Sequence, residues 1–349
     1  MKLIQHSKPT FYKGDAGLFK PILKSSQIAC GEIAKNFEKR FSSYLGCTGA
    51  IATNSGTAAL HLSLMALDIG KGDEVIIPSY VCASLLNAIN YVDAKPVLAD
   101  IDYDTFNISI KDTKRKLTKK TRAVIIPHMF GLPCDIDEFL KLNLPVIEDC
   151  AQSLGAKYRH KLTGSFGLIS IFSFYATKLI TTGYGGMVAS NSKKLLDKMR
   201  DLNEMDKRED YKIRYNYKMS DLEAALGINQ LQHIGYFIKK RKEISRAYTM
   251  GLSDYDLELP VKKDDRGHVF YRYVIKSKKA AVIKRHLRRN GIEIIPPVYK
   301  PLHRYLSLPK SDFPNTERVY RETVSLPVYP TLKIAENSRI IRILRQAIV

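Results

Sequence analysis

Three short stretches of this chain hold residue types that could perform covalent chemistry together. Ile171-Phe172-Ser173-Phe174-Tyr175-Ala176-Thr177-Lys178 is an apolar run ending on a lysine, and the glycine-rich turn Thr181-Thr182-Gly183-Tyr184-Gly185-Gly186 follows it. A lysine held in apolar surroundings loses its proton more readily, because burial disfavours the ammonium form, and the neutral amine condenses with an aldehyde. Pro145-Val146-Ile147-Glu148-Asp149-Cys150-Ala151-Gln152 delivers two adjacent acids at the end of a short apolar run. Successive side chains of a strand face opposite ways, so one acid can face a ligand at the carboxyl end of a sheet while its neighbour serves elsewhere. Thr53-Asn54-Ser55-Gly56-Thr57-Ala58-Ala59-Leu60 is a small-residue turn that opens a helix. Its free N–H groups and the positive end of the helix dipole suit a phosphate, and no Gly-Lys-Ser/Thr follows to make it a Walker loop. Each stretch alone also reads blandly, as a surface lysine, a solvated acidic loop and a plain Ser/Thr N-cap. In combination they supply an anion pocket, an acid and a Schiff-base amine, the set that pyridoxal phosphate requires.

The elements that must position these groups are visible from Gly46 to Ser190. Apolar runs at Glu74–Ile77, Lys95–Leu98, Ala123–Ile126 and Pro145–Ile147 alternate with stretches of helical periodicity. Strands apolar on both faces and joined by crossovers indicate a mostly parallel sheet covered by helices. Lys218 to about Leu252 reads as one helix, long enough to connect two domains. Beyond it the pattern predicts a strand over Val269–Ile275, a basic helix from Ala280 to Asn290 ended by Gly291, and a strand over Ile292–Ile295. The expected organisation is an α/β unit over residues 1–235, with the opening segment free to pack elsewhere, and a smaller α+β unit over 236–349.

Composition narrows the class. An ordinary share of apolar residues, 45%, excludes a disordered chain, and no apolar run approaches the length of a membrane span. The start, Met1 to Pro9, lacks the apolar stretch of a signal peptide, so the expected location is cytoplasmic. Cys30, Cys47, Cys82, Cys134 and Cys150 are scattered with no Cys-x-x-Cys pair, which predicts reduced, mostly buried thiols and no metal site. The net charge of +21 attracts polyanions, either nucleic acid or a phosphorylated metabolite. Arg214, Lys212, Arg272 and Lys300 lie beside the stretches of interest and are candidates to meet such a ligand. The basic run Lys284–Arg289 is the main support for a regulatory, nucleic-acid-binding alternative, but it lies on an amphipathic helix with no recognised DNA-reading motif around it.

Across nearly its whole length the chain resembles the DegT/DnrJ/StrS sugar aminotransferases, which use pyridoxal phosphate on the aspartate aminotransferase fold (fold type I). The resemblance is carried in order by His6-Ser7-Lys8-Pro9, Asn54–Leu60, Gly72–Tyr80, Pro127-His128-Met129-Phe130-Gly131, Glu148–Gln152, Ser173–Lys178, Asn216–Asp221 and Ser325–Pro330. It implies that Lys178 joins the cofactor aldehyde and then carries the proton, and that Asp149 pairs with the ring nitrogen. It further implies that Gln152 meets the ring hydroxyl side, that Gly56, Thr57 and Ser173 bind the phosphate, and that Asn216 reaches the phosphate in the partner subunit of a homodimer. The implied reaction moves an amino group from an amino acid, L-glutamate, to a keto group of a nucleotide-linked sugar, for amino-sugar or surface polysaccharide synthesis. Sugar dehydratases of this group carry histidine in place of the lysine, so Lys178 argues against a dehydratase or other lyase. Two departures bear on the substrate side. Tyr184 replaces an acid in the family's Gly-Glu-Gly-Gly, and Cys82 replaces an aromatic ring, for which Tyr80 or Phe130 are expected substitutes. His303 falls where the smaller domain closes over substrate and is a further candidate, beside its reading as a structural residue; His128 reads as a packed residue.

Overall fold

The computed structural model describes residues 3–12, 14–206 and 208–348. Twelve strands are present among them: β1 (Gly49–Thr53), β2 (Glu74–Pro78), β3 (Lys95–Ala99), β4 (Thr121–Pro127), β5 (Val146–Asp149), β6 (Lys157–Tyr158), β7 (Lys161–Leu162), β8 (Ile169–Ser173), β9 (Gly186–Ser190), β10 (Arg266–Gly267), β11 (Tyr273–Lys276) and β12 (Thr323–Leu326). Seven form the central sheet in the order β1-β9-β8-β5-β4-β2-β3. All run one way except β9, which is antiparallel to both its neighbours. The fold is therefore the α/β type expected, with a mostly parallel sheet. β2 and most of β4 are buried, as strands covered on both faces must be.

The strand order brings the three chemical stretches together. β5 pairs with β8, so Asp149 at the end of β5 lies opposite Ile171, two residues before Ser173. β9 closes on β1 with Thr53 opposite Gly186, which sets the start of the helix Gly56–Ala66 beside the end of β8. A Cβ on Gly186 would collide with the Ser55 carbonyl, so this close approach requires glycine.

A second, two-stranded antiparallel sheet pairs β11 with β12. It shares an apolar cluster with the helices Ala280–Arg289 and Ile334–Ile348, and Ile4 from the chain start joins the same cluster.

Several local expectations differ from the structure. The run Lys218–Leu252 is two helices, Asp221–Gln232 and Ile234–Leu252. Between them His233 leaves helical geometry at ψ 4°, its ring against Tyr12 at 3.9 Å. The strand expected over Val269–Ile275 begins only at Tyr273. Phe270 adopts a left-handed φ of 51°, with its N–H donated to His268 Nδ1 at 2.9 Å and its ring stacked on that imidazole. Ile292–Ile295 makes a single bridge, Ile4 to Ile292, instead of a strand. The cysteines are free, but only Cys134 and Cys150 are buried; Cys30 and Cys82 are exposed because neither belongs to a core-facing position of a regular element.

Candidate active site

A cavity of about 300 Å³ opens at the carboxyl ends of β5 and β8, lined by Gly56, Thr57, Asp149, Ser173, Lys178 and Tyr184 among others. Ser55 caps the helix Gly56–Ala66: it is extended, and its Oγ accepts the Ala58 N–H at 3.1 Å. The N–H groups of Gly56 and Thr57 and the Ser173 hydroxyl have no partner within the described chain, so three donors converge on one end of the cavity. A Cβ on Gly56 would stand 3.0 Å from Ser173 Cβ, so glycine keeps this end open.

Asp149 and Glu148 divide as the alternation of a strand requires. Glu148 is fully buried on the far side. Its Oε1 accepts the N–H groups of Phe166 at 2.8 Å and Gly167 at 2.6 Å, and its Oε2 accepts Gly164 N–H at 2.7 Å and meets His128 Nε2 at 3.0 Å. Because His128 Nδ1 accepts the Cys134 N–H, the ring proton sits on Nε2 and is donated to Glu148. His128 is thus a packed, hydrogen-bonded residue. In the cluster of His128, Glu148 and Cys150 the carboxylate and both imidazole nitrogens are already engaged by these contacts.

Asp149 faces the cavity. Its Oδ1 accepts only the Ala151 N–H at 2.9 Å, and its Oδ2 takes no hydrogen bond from the described chain. Burial pushes its carboxyl above the usual range, against the opposing pull of the Ala151 N–H and of Lys178. A buried carboxylate with one unused oxygen calls for a cationic N–H donor from a ligand. Lys178, on the turn after β8 with its N–H donated to the Tyr175 carbonyl at 2.8 Å, forms no ion pair with a described residue. An acceptor for a ring N–H, an amine for an aldehyde and a triad of donors for a phosphate thus share one cavity, and these residues fit pyridoxal phosphate.

Other expected residues lie elsewhere. Gln152 Oε1 accepts the Phe130 N–H at 3.0 Å, so it braces the loop after β4. Asn216 is exposed outside the cavity, on a segment tied down where Tyr217 O accepts the Asn54 N–H at 2.7 Å. His303 does not line the cavity. It is fully buried, with Nδ1 at 2.7 Å from Ser79 Oγ, Nε2 at 2.9 Å from Glu317 and its ring stacked on Phe313, so both nitrogens are already engaged. Cys82 does line the cavity, but neither expected aromatic substitute does. Tyr80 is fully buried with its hydroxyl near Thr323, and Phe130 packs on Phe106. Tyr184 is 66% exposed at the cavity edge, its ring 5.4 Å from that of Tyr175. Of the basic candidates, Arg214 and Lys212 are bound to Asp201, and Lys300 lies over Tyr305. Tyr175, Ser84 and Leu85 line the cavity without having been singled out; Tyr175 sits within the apolar run itself, where spacing gives no sign of its exposure.

Comparison with known proteins settles the family. The model of the DegT/DnrJ/EryC1/StrS aminotransferase family matches residues 12–345. The chain belongs to this family. It is an aminotransferase dependent on pyridoxal phosphate, and it has the fold type I architecture. It is 34% identical to the GDP-perosamine synthase of Escherichia coli O157:H7 over 95% of each chain. It is 32% identical to the dTDP-3-amino-3,6-dideoxy-alpha-D-galactopyranose transaminase of Aneurinibacillus thermoaerophilus, over 92% of this chain and 91% of that one. The solved structure of S. venezuelae DesV, in complex with a ketimine intermediate, superposes with a TM-score of 0.91 at 28% identity, covering 95% of this chain and 93% of that one. Among the described residues no helix is long and apolar enough to cross a membrane.

Proposed function

We propose that this aminotransferase moves an amino group from L-glutamate to a keto group of a nucleotide-linked sugar, supplying an amino sugar for a surface polysaccharide. The observation that carries this is the cavity with Lys178, Asp149 and three unpaired donors at its base, taken with relatives whose names are those of enzymes for nucleotide-linked amino sugars. Pyridoxal phosphate supplies an aldehyde that accepts an amine and a ring that draws electrons from the carbon losing its proton. Lys178 would hold that aldehyde through its Nζ, and the same amine would carry the proton. Asp149 keeps the ring nitrogen charged by accepting its N–H. Gly56, Thr57 and Ser173 hold the phosphate, and Gln152 braces the loop of Phe130 behind the cavity. Tyr184, exposed at the cavity edge, meets the sugar substrate.

In this reading the protein is a cytoplasmic homodimer with shared sites. Five free cysteines suit a reducing compartment. Exposed Met205, Tyr211 and Ile213 give the segment before Asn216 an apolar surface suited to a partner subunit, from which Asn216 reaches the other phosphate. The chain divides into a cofactor-holding unit, 1–235, and a smaller unit, 236–349, from which Val269 and Tyr271 reach back into the core of the first.

The test is to load the purified protein with cofactor, convert it with L-glutamate, and offer a panel of nucleotide-linked keto sugars. The expected result is an aminated sugar nucleotide with stoichiometric 2-oxoglutarate. Release of ammonia with loss of a hydroxyl, or no reaction across the panel, overturns it.

A further inference from the structure

Lys178 shares a neighbour with a second cation that the reaction as described does not use. Lys178 Nζ stands over the Tyr271 ring, 5.2 Å from its centre, and the Arg272 guanidinium stands 5.5 Å from the same centre. Arg272 forms no ion pair with a described residue. The contacts of its guanidinium are with rings, that of Tyr271 and, through Nη1, His6 Nε2 at 3.4 Å. Burial, with Arg272 adding to it, holds the His6 imidazole down at about 3, so this ring is neutral and answers none of the charge. The acids close by are committed elsewhere. Asp104 lines a narrow crevice with Arg272 but pairs with Lys276 at 3.6 Å, and Glu293 accepts the His6 backbone N–H at 2.9 Å.

The backbone that carries Arg272 is held firmly. The Arg272 N–H reaches the Phe130 carbonyl at 3.3 Å and the Val269 N–H that of Gly131 at 3.1 Å, on either side of Tyr271. Arg241, 3% exposed, donates from Nη1 to the carbonyls of Val328 at 2.8 Å, Tyr271 at 3.2 Å and Phe270 at 3.3 Å, so its own charge is spent on the chain. A guanidinium preset near the reactive amine, with neutral rings for neighbours, calls for a carboxylate, which its fork takes with two parallel N–H bonds. We propose that Arg272 selects the amino-acid donor by pairing with the carboxylate at the far end of a dicarboxylic amino acid. In L-glutamate that carboxylate lies three carbon–carbon bonds of about 1.5 Å each from the carbon bearing the amine. This length suits two cations set around one ring: the amine end reacts at Lys178, and the far end reaches along Tyr271 to Arg272. The diphosphate of the sugar substrate is the competing anion. Tyr184, which meets the sugar, stands exposed at the cavity edge, whereas Arg272 is half-buried against the Tyr271 ring.

This assignment rests on the reading of the protein as an L-glutamate-dependent aminotransferase, so the test compares donors and reads the acceptor separately. Cofactor-loaded wild type, Arg272→Met and Arg272→Lys are titrated with L-glutamate and with L-glutamine, which has the same length and a neutral far end, and the loss of the aldehyde form is followed by absorbance. Arg272→Met should raise the half-saturating concentration of L-glutamate by about 10–100-fold, the value of a charge-assisted pair. The preference for L-glutamate over L-glutamine should fall by about tenfold or more. Arg272→Lys keeps the charge but not the fork, so it should fall between the two, and it carries the test if Arg272→Met does not fold. Glutarate, which has no amine to transfer, should bind the loaded wild type in calorimetry and bind Arg272→Met at least about tenfold more weakly. A donor preference unchanged in both variants, an equal loss for both donors, or a loss confined to KM for the sugar nucleotide in full turnover overturns the proposal. A wild type that takes no amine from L-glutamate overturns the donor reading and this assignment together; amine uptake without transfer to any keto sugar overturns only the reading of the acceptor.

Discussion

Glu148 and Asp149 are neighbours on β5, and their surroundings are opposite. Glu148 accepts three backbone N–H groups and a histidine, so its charge is fully answered inside the fold. Asp149, equally buried, is answered by one N–H, and burial holds its carboxyl above the usual range. The first acid is spent on stability, tying the loop Gly164–Gly167 and the turn at Cys134 to the sheet. The second is kept unsatisfied, and a ligand completes it. One strand therefore carries both a structural and a functional carboxylate, separated only by the pleat.

This contrast can be broken from the functional side first. Lys178→Ala, which removes the amine on the open face, should lower turnover by on the order of 10⁴-fold or more. The fold should stay intact by circular dichroism, since Lys178 pairs with no described acid. Asp149→Asn should lower kcat by roughly 10²–10³-fold, because a neutral amide cannot hold a ring nitrogen charged. It should at the same time raise the thermal midpoint of the cofactor-free protein at neutral pH. The raised carboxyl costs stability as pH climbs from the usual carboxylate range to its higher folded value, beyond which the cost stays constant, and the cost is absent below that range. The gain should therefore vanish in acid. An unchanged rate, or a gain that persists below that range, breaks the comparison.

Glu148→Gln should behave the other way. An NH2 group would face either the Phe166 and Gly167 pair of donors or the Gly164 and His128 pair, so unfolding free energy should fall by about 1–3 kcal/mol. Activity per folded molecule should stay within about threefold, as the cavity is untouched. A large kcat loss with normal stability would mean that Glu148 acts on the site. The smallest effect is expected at Ser173→Ala: loss of one of three phosphate donors should weaken cofactor retention about fivefold, measured by equilibrium dialysis.

Much of this contrast is legible in the order of the amino acids. The two-faced acid pair, the helix opening at Gly56 and the lysine after an apolar run are local patterns, and local periodicity carries them. What escapes is set by partners distant in sequence. His303 is claimed by Ser79 and Glu317, and Gln152 by the Phe130 backbone; no spacing announces either. Tyr80 turns into the core instead of covering the place left by Cys82 because its hydroxyl finds Thr323. The apolar run Val269–Ile275 looks like one strand, yet the left-handed turn at Phe270 breaks it, and that turn is what brings Tyr271 to Lys178.

Every role assigned to the cavity depends on the Lys178 side chain being the covalent attachment point of pyridoxal phosphate. The direct measurement is borohydride reduction of the holoprotein followed by peptide mapping by mass spectrometry. A reduced cofactor adduct on Lys178, absent in Lys178→Ala, is the predicted result; an unmodified Lys178, or an adduct on another lysine, contradicts it.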